Sequence, residues 1–224
     1  MIKQSFLQIL QYNIRKSLRI QELFLINKKV REFNIVTIQK QDHNNNDSQS
    51  FSSAYNFFHL VKNSSSQSRT CIYINKHLRL NQWIVETVES DICSIRILTC
   101  NTNDETQMLR LLNVYNLCSL FTTFTEKSSI IFDLNKLLKN NCEQLIIEDF
   151  NLHHFHWKKR RCFTHHMMID TLLNVITNVR LKLLLKLNII TCEAHNQFTM
   201  IDLVFNSEKI QFMTCKCKIW IDLH

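Results

Sequence analysis

The chain has 224 residues, a formal net charge of +8 at pH 7 and a pI near 9.1. That is the size of one large domain or two small ones, and the charge favours polyanionic partners. Hydrophobic residues at 45% and charged residues at 21% are globular proportions, while the lack of an eighteen-residue apolar run excludes a membrane-spanning helix.

In chain order, Ser5 to Tyr12 reads as an opening strand that ends at Asn13. Lys16 to Asn27 carries Leu18, Ile20, Leu23, Leu25 and Ile26 and reads as a helix. Asn34 to Gln39 has the pattern of a short buried strand, and residues 41 to 53 and Asn63 to Ser68 read as polar loops. Strands are expected at Thr70 to Asn75, Asp91 to Leu98 and Met108 to Tyr115. In the second of these, Ile95 and Ile97 alternate with Ser94 and Arg96, as in a half-exposed strand. A helix at Glu126 to Leu138 precedes the strand Gln144 to Glu148. A further helix runs from Thr164 past Leu173 to about Asn178, and strands at Leu181 to Leu187, Phe198 to Phe205 and Phe212 to Cys217 complete the series. Strands with interspersed helices and no internal repeat predict an α/β or α+β sandwich.

Two compositional facts constrain the chemistry. Nine cysteines without a C-x-x-C pair read as reduced thiols, and Cys215-Lys216-Cys217 has the wrong spacing for a zinc ribbon. Glycine and proline are absent, although average usage of about 7% and 5% predicts roughly 27 of them. Alanine survives only at Ala54 and Ala194. These three residues have codons whose first two letters are G or C, so an extremely AT-rich gene, or replacement of C·G by T·A, accounts for the loss. Turns that need a positive φ must then use other residues at a steric cost. The run Asn44-Asn45-Asn46-Asp47 is suited to a loop. The N-terminal Met1-Ile2-Lys3-Gln4-Ser5 has no secretory signal pattern, so an intracellular protein is expected.

The segment Ile146 to Trp157 concentrates the candidate chemistry. An apolar strand delivers Asp149 and Asn151, two apart and therefore on one face. An Asp there can take a proton from water, and an Asn can hold a phosphate or the nucleophile. Asp-x-Asn is also common in turns, so the pair alone is weak. The continuation His153-His154-Phe155-His156-Trp157 makes it more specific.

This stretch resembles the Gly-Asp-Phe-Asn-x-His-His-x-x-Trp signature of endonuclease domains in non-LTR (LINE-like) retrotransposons, within the endonuclease/exonuclease/phosphatase superfamily. Four further segments match in order: Leu10-Gln11-Tyr12-Asn13, Ile35 to Lys40, Asn113-Val114-Tyr115-Asn116, and Thr199 to Phe205. The resemblance implies a four-layer α/β sandwich, two mixed β-sheets flanked by helices, with residues 1–224 forming one domain. It implies a magnesium-dependent nuclease that nicks DNA to prime reverse transcription by the element's own reverse transcriptase, and a nuclear location when active. Carried over by position, Asp149 is the general base. Asn151 positions the phosphate and nucleophile, Tyr115 contacts the phosphate, Asn13 belongs to the metal site and Asp202 orients a catalytic His.

The departures are equally specific. Lys40 stands where the family has its metal-binding Glu, and a lysine offers only donors and a like charge. The family closes its site with Ser-Asp-His, whereas this sequence stops at His224, so a truncation before that motif is expected. Glu148, Leu117, Phe155, Lys158 and Lys159 fall where Gly or Pro would stand, and each is reachable from their codons by C→T or G→A changes. The same changes turn Glu into Lys at position 40. The pattern is that of a degenerate, fungal-type copy, impaired as an enzyme. His153, His154, Lys158 and Lys159 are weak candidates for nucleic-acid contact. The competing readings are a repair nuclease or phosphatase of the same superfamily, and an inactive remnant that binds nucleic acid by charge.

Overall fold

A computed structural model of the protein describes residues 7–13, 18–39, 52–64, 68–100, 106–115, 134–138, 142–149, 167–184, 192–194, 197–199 and 202–208. The chain divides into two compact units, Met1–Tyr115 and Asn116–His224. The fold class is α/β.

In the first unit, β1 (Ile9–Asn13) lies parallel to β2 (Ile35–Gln39), and α1 (Leu18–Ile26) forms the crossover between them. A parallel pair needs such a crossover, because a tight turn can only reverse the chain. Tyr12 of β1 stacks on Phe24 of α1 with ring centroids 4.3 Å apart, and Phe24 and Leu25 are buried. The buried face of the helix is Gln21, Phe24 and Leu25, whereas Ile20, Leu23 and Ile26, expected to belong to its apolar stripe, are exposed. A short helix α2 (Ser52–Tyr55) leads into β3 (Phe58–Lys62), and β4 (Thr70–Asn75) pairs antiparallel with both β2 and β3. The sheet order is β1-β2-β4-β3. β2 and β4 are buried along their whole length, which is why both read as continuous rather than alternating apolar runs.

The same unit contains an antiparallel meander of β5 (Trp83–Val88), β6 (Ile92–Cys100) and β7 (Thr106–Tyr115). The β5–β6 register shifts between Val85 and Thr87, leaving Glu86 at an irregularity in the ladder. Glu86 pairs there with Arg96 and with the fully buried Arg110. Burial pushes the Glu86 carboxyl up, but hydrogen bonds from Arg110 and Arg96 outweigh it and leave the group below its ordinary range.

In the second unit, β8 (Glu143–Asp149) pairs antiparallel with β12 (Asp202–Ser207), which pairs in turn with β9 (Leu181–Leu183). β10 (Cys192–Ala194) and β11 (Gln197–Thr199) form a separate small hairpin. The helix α3 (Met167–Asn178) buries Ile169, Leu172, Val175 and Ile176, a spacing of three and four that marks one face. Residues 134–138 are also helical, with Leu134 and Leu138 buried.

Several expectations need correction. Ser94 is fully buried, so β6 is not half-exposed there, and its hydroxyl has no hydrogen-bond partner among the described residues. The single strand expected over Phe198 to Phe205 is two elements, β11 and β12. The helix α2 begins inside the segment expected to be a loop, and β3 and β5 escaped the reading altogether. β9 ends at Leu183, short of Leu187. The strand expected at Phe212 to Cys217 lies outside the described residues.

Candidate functional site

In the first unit, the C-terminal ends of β1 and β2 lie side by side, with Asn13 opposite Gln39. Asn13 is half-buried at the last position of its strand. Gln39 is fully buried and anchors a polar network. Gln11 Nε2 donates to Gln39 Oε1 at 2.9 Å. Gln39 Nε2 then donates to Asn113 Oδ1 and to the Val114 carbonyl, both at 3.1 Å. Asn113 Nδ2 closes the network by donating to the carbonyls of Ile38 and Cys71 at 2.9 Å. Every amide hydrogen of Gln39 and Asn113 side chains is used, as burial of polar groups demands. The network fastens β2 and β4 to β7.

Tyr115 sits at the end of β7, buried at 4% exposure. Its backbone N–H donates to the Asp91 carbonyl at 2.9 Å. The Asp91 carboxylate holds Arg69 through two guanidinium nitrogens, and the Arg69 guanidinium lies 5.8 Å from the Tyr115 ring centre. Tyr115 is therefore fixed by its strand and flanked by a cation. Gln39, Asn113, Arg69 and Asp91 were given no role from the sequence. Gln39 and Asn113 stand inside two of the ordered motifs, and that placement was the available signal.

In the second unit, β8 carries Glu148 and Asp149, both fully buried, at its C-terminal end. Asp149 is the register partner of Asp202, and Glu148 that of Leu203. The antiparallel ladder thus joins two positions 53 apart in sequence that chemistry-bearing residues occupy. Burial pushes the Glu148 carboxyl well above the usual carboxylate range, and the neighbouring Asp149 charge adds to it. Lys40, Asn151, His153, His154, Lys158 and Lys159 lie outside the described residues.

Magnesium takes hard oxygen ligands and is usually held by carboxylates. On β1 and β2, Asn13 offers one amide oxygen, while its neighbour Gln39 is engaged with Gln11, Asn113 and Val114. No group of three or more His, Cys, Asp or Glu suited to a metal occurs among the described residues. The described ends of these two strands therefore do not fit tight magnesium binding by themselves.

The fold is shared with several nucleases. It resembles the endonuclease domain of TRAS1, a telomere-specific non-LTR retrotransposon, at 15% identity and a TM-score of 0.62, covering 91% of this chain and 86% of that one. It also resembles the catalytic domain of Xenopus laevis APE2, at 13% identity and a TM-score of 0.69, covering 91% and 83%. The 3'-5' exonuclease NExo of Neisseria meningitidis matches at 13% identity and a TM-score of 0.62, covering 91% and 88%. No curated protein matches the chain in sequence. These likenesses show the fold, an α/β sandwich. A family model described as endonuclease–reverse transcriptase matches residues 109–222, half of the chain. The chain belongs to this family.

Proposed function

We propose that the chain is a retrotransposon-type endonuclease domain for phosphodiester hydrolysis in DNA, and that this copy is impaired. The observation that carries the reading is the family match over residues 109–222. It contains Asn113-Val114-Tyr115, the Asp149-Phe150-Asn151 segment and Ile201 to Phe205 in the family's order. In this reading Asp149 takes the proton from the attacking water, Asn151 positions the phosphate and Tyr115 contacts it. Asp202 stands at the position that orients a catalytic His in the family, and Asn13 serves the metal. His153, His154, Lys158 and Lys159 add minor contacts to the DNA backbone. In the intact parent, nicking in the nucleus supplies the end from which the element's reverse transcriptase primes.

When bound, magnesium neutralises charge that develops on the phosphate. Lys40, in place of a Glu, is the proposed lesion. One unit charge at about 4 Å is worth about 4 kcal/mol at an effective dielectric near 20, so exchanging attraction for repulsion weakens the ion strongly. A remnant that binds nucleic acid without cutting it is the limiting case of this lesion.

The test is nicking of supercoiled plasmid by the purified chain, with magnesium titrated by calorimetry. We expect near-background nicking, and an affinity for magnesium at least roughly 100-fold higher in Lys40→Glu. Robust nicking by the unaltered chain, abolished in Asp149→Asn, would show that the copy is intact. An unchanged magnesium affinity in Lys40→Glu would remove Lys40 as the lesion.

A further inference from the structure

The four-stranded sheet of the first unit ends on β3, and the meander ends on β5. A cleft of about 500 Å³ lies along these two outer strands. Among the described residues its lining includes Tyr55, His59, Lys62, Lys76 and Trp83, with Val88 among the apolar members. The volume falls within the roughly 300–1,000 Å³ of small-ligand sites. Lys62, Lys76 and Tyr55 are exposed, and His59 and Trp83 are half-buried with ring centres 5.7 Å apart. No carboxylate belongs to the lining, and neither ammonium is in an ion pair among the described residues. The buried indole Nε1 of Trp83 has no acceptor among the described residues.

We propose that this cleft is a second nucleic-acid contact, taking an unpaired nucleotide of a single strand. The base stacks against the Trp83 and Tyr55 rings, and the backbone phosphate lies between Lys62 and Lys76. Aromatic faces accept any exposed base, and paired cations neutralise the phosphate next to it. A duplex keeps its bases stacked internally and presents no free face, so the occupant is single-stranded. The lack of acidic lining favours a polyanion over an extended peptide, which would use the unpaired strand edges instead. The cleft uses none of the residues assigned to hydrolysis, so it stands or falls independently of the nuclease reading.

The experiment is fluorescence anisotropy of a labelled oligodeoxythymidylate of about twelve nucleotides, within the span of single-strand sites, with the full chain in EDTA. In the double variant Lys62→Gln/Lys76→Gln, binding weakens by roughly tenfold, and the salt slope of log K falls by about 0.7, the value for one single-strand phosphate contact. Lys28→Gln/Lys29→Gln removes the same charge from exposed residues outside the cleft lining and leaves affinity within about threefold. Trp83→Leu weakens binding by roughly tenfold, while Trp83→Phe, which keeps a stacking face, retains most of it. Circular dichroism establishes that each variant is folded. If Trp83→Leu does not fold, the lysine pairs decide. Equal loss in both lysine pairs would mean diffuse attraction to a basic surface and would overturn the proposal. An unaltered slope in Lys62→Gln/Lys76→Gln, or equally tight binding of a duplex of the same length, would also overturn it. So would capture of an extended peptide in the cleft with no binding of the oligonucleotide.

Discussion

Glu148 is a fully buried acid whose two carboxyl oxygens have no hydrogen-bond partner among the described residues. A glycine occupies this position in the family signature that the segment resembles, whereas here the position carries a carboxylate side chain. Burial, reinforced by Asp149, raises its folded-state pKa well above the usual value. The folded protein therefore holds this proton more tightly than the unfolded chain does. Its contribution is intact below the unfolded pKa of about 4.3 and is lost as pH rises toward the folded value. In urea unfolding, Glu148→Gln should gain stability relative to the parent progressively from pH 5 to pH 8. A pH-independent difference between the two would show that the carboxyl finds a partner in solution. Arg180 exposes a second cost of the missing glycines. It follows α3 with φ of 55°, the left-handed conformation in which helices commonly end on Gly. It is the one positive-φ residue among those described. We predict that Arg180→Gly stabilises the chain by about 1 kcal/mol, seen as a Tm about 2–4 °C higher for a chain of this size. A lower Tm would mean that the Arg180 side chain contributes more than its backbone costs.

At the scale of elements, the irregularity in β5 and the network at Asn113 are polar fasteners of the first unit. An extra residue in one strand bends it and redirects a side chain. Here Glu86 serves both Arg96 and the buried Arg110. A buried guanidinium left without its carboxylate is strongly unfavourable, so Glu86→Ala should destabilise the fold by about 3–5 kcal/mol. Arg110→Met removes charge and burial cost together and should be milder. Because the Glu86 pKa is depressed on folding, its stabilisation is present above the unfolded pKa and disappears as pH falls through the folded one. Equal losses for the two variants in denaturant titrations would show that the ion pair carries no desolvation cost. Neither fastener shows a periodicity. Glu86 stands in the sequence among Val85, Thr87 and Val88 as an ordinary strand residue, and only the β5–β6 register shows that it is displaced.

For the whole molecule, the charge of +8 and the proposed loss of magnesium binding act on different steps. Attraction to phosphates requires lysines and arginines at the surface, whereas hydrolysis in the proposed function requires the metal and Asp149. Binding should therefore persist where cutting has failed. Asp149 is fully buried, so Asp149→Asn should leave oligonucleotide affinity within about twofold, while affinity of the parent falls at least roughly tenfold between 50 and 200 mM salt. Filter retention of labelled DNA measures both. Salt-insensitive retention would mean that charge is not what holds the DNA.

The α/β class, β2, β4 and the end of β8 were legible from residues alone, because each has a local cause. Ile35 to Gln39 and Thr70 to Asn75 are dense in β-branched or apolar residues, and a strand buried on both faces needs no alternation to declare itself. Asp149 could be singled out because an apolar strand runs directly into it, whereas Asn13 was singled out by the resemblance of Leu10-Gln11-Tyr12-Asn13 to a family motif. β3 and β5 were missed for the opposite reason. Their burial is mixed, and their sequences, Phe-His-Leu-Val-Lys and Trp-Ile-Val-Glu-Thr-Val, show neither a continuous apolar run nor a strict alternation. What the sequence determined by itself was the class of fold, the order of the motifs and the substituted residue types at positions 40 and 148. Only the tertiary structure decided that Asp149 and Asp202 are register partners, that Gln39 and Asn113 are spent on fastening strands together, and that Glu148 is buried with no hydrogen-bond partner among the described residues. Pairing register and burial depend on residues distant in the chain, and no local pattern encodes the partner that a strand will meet.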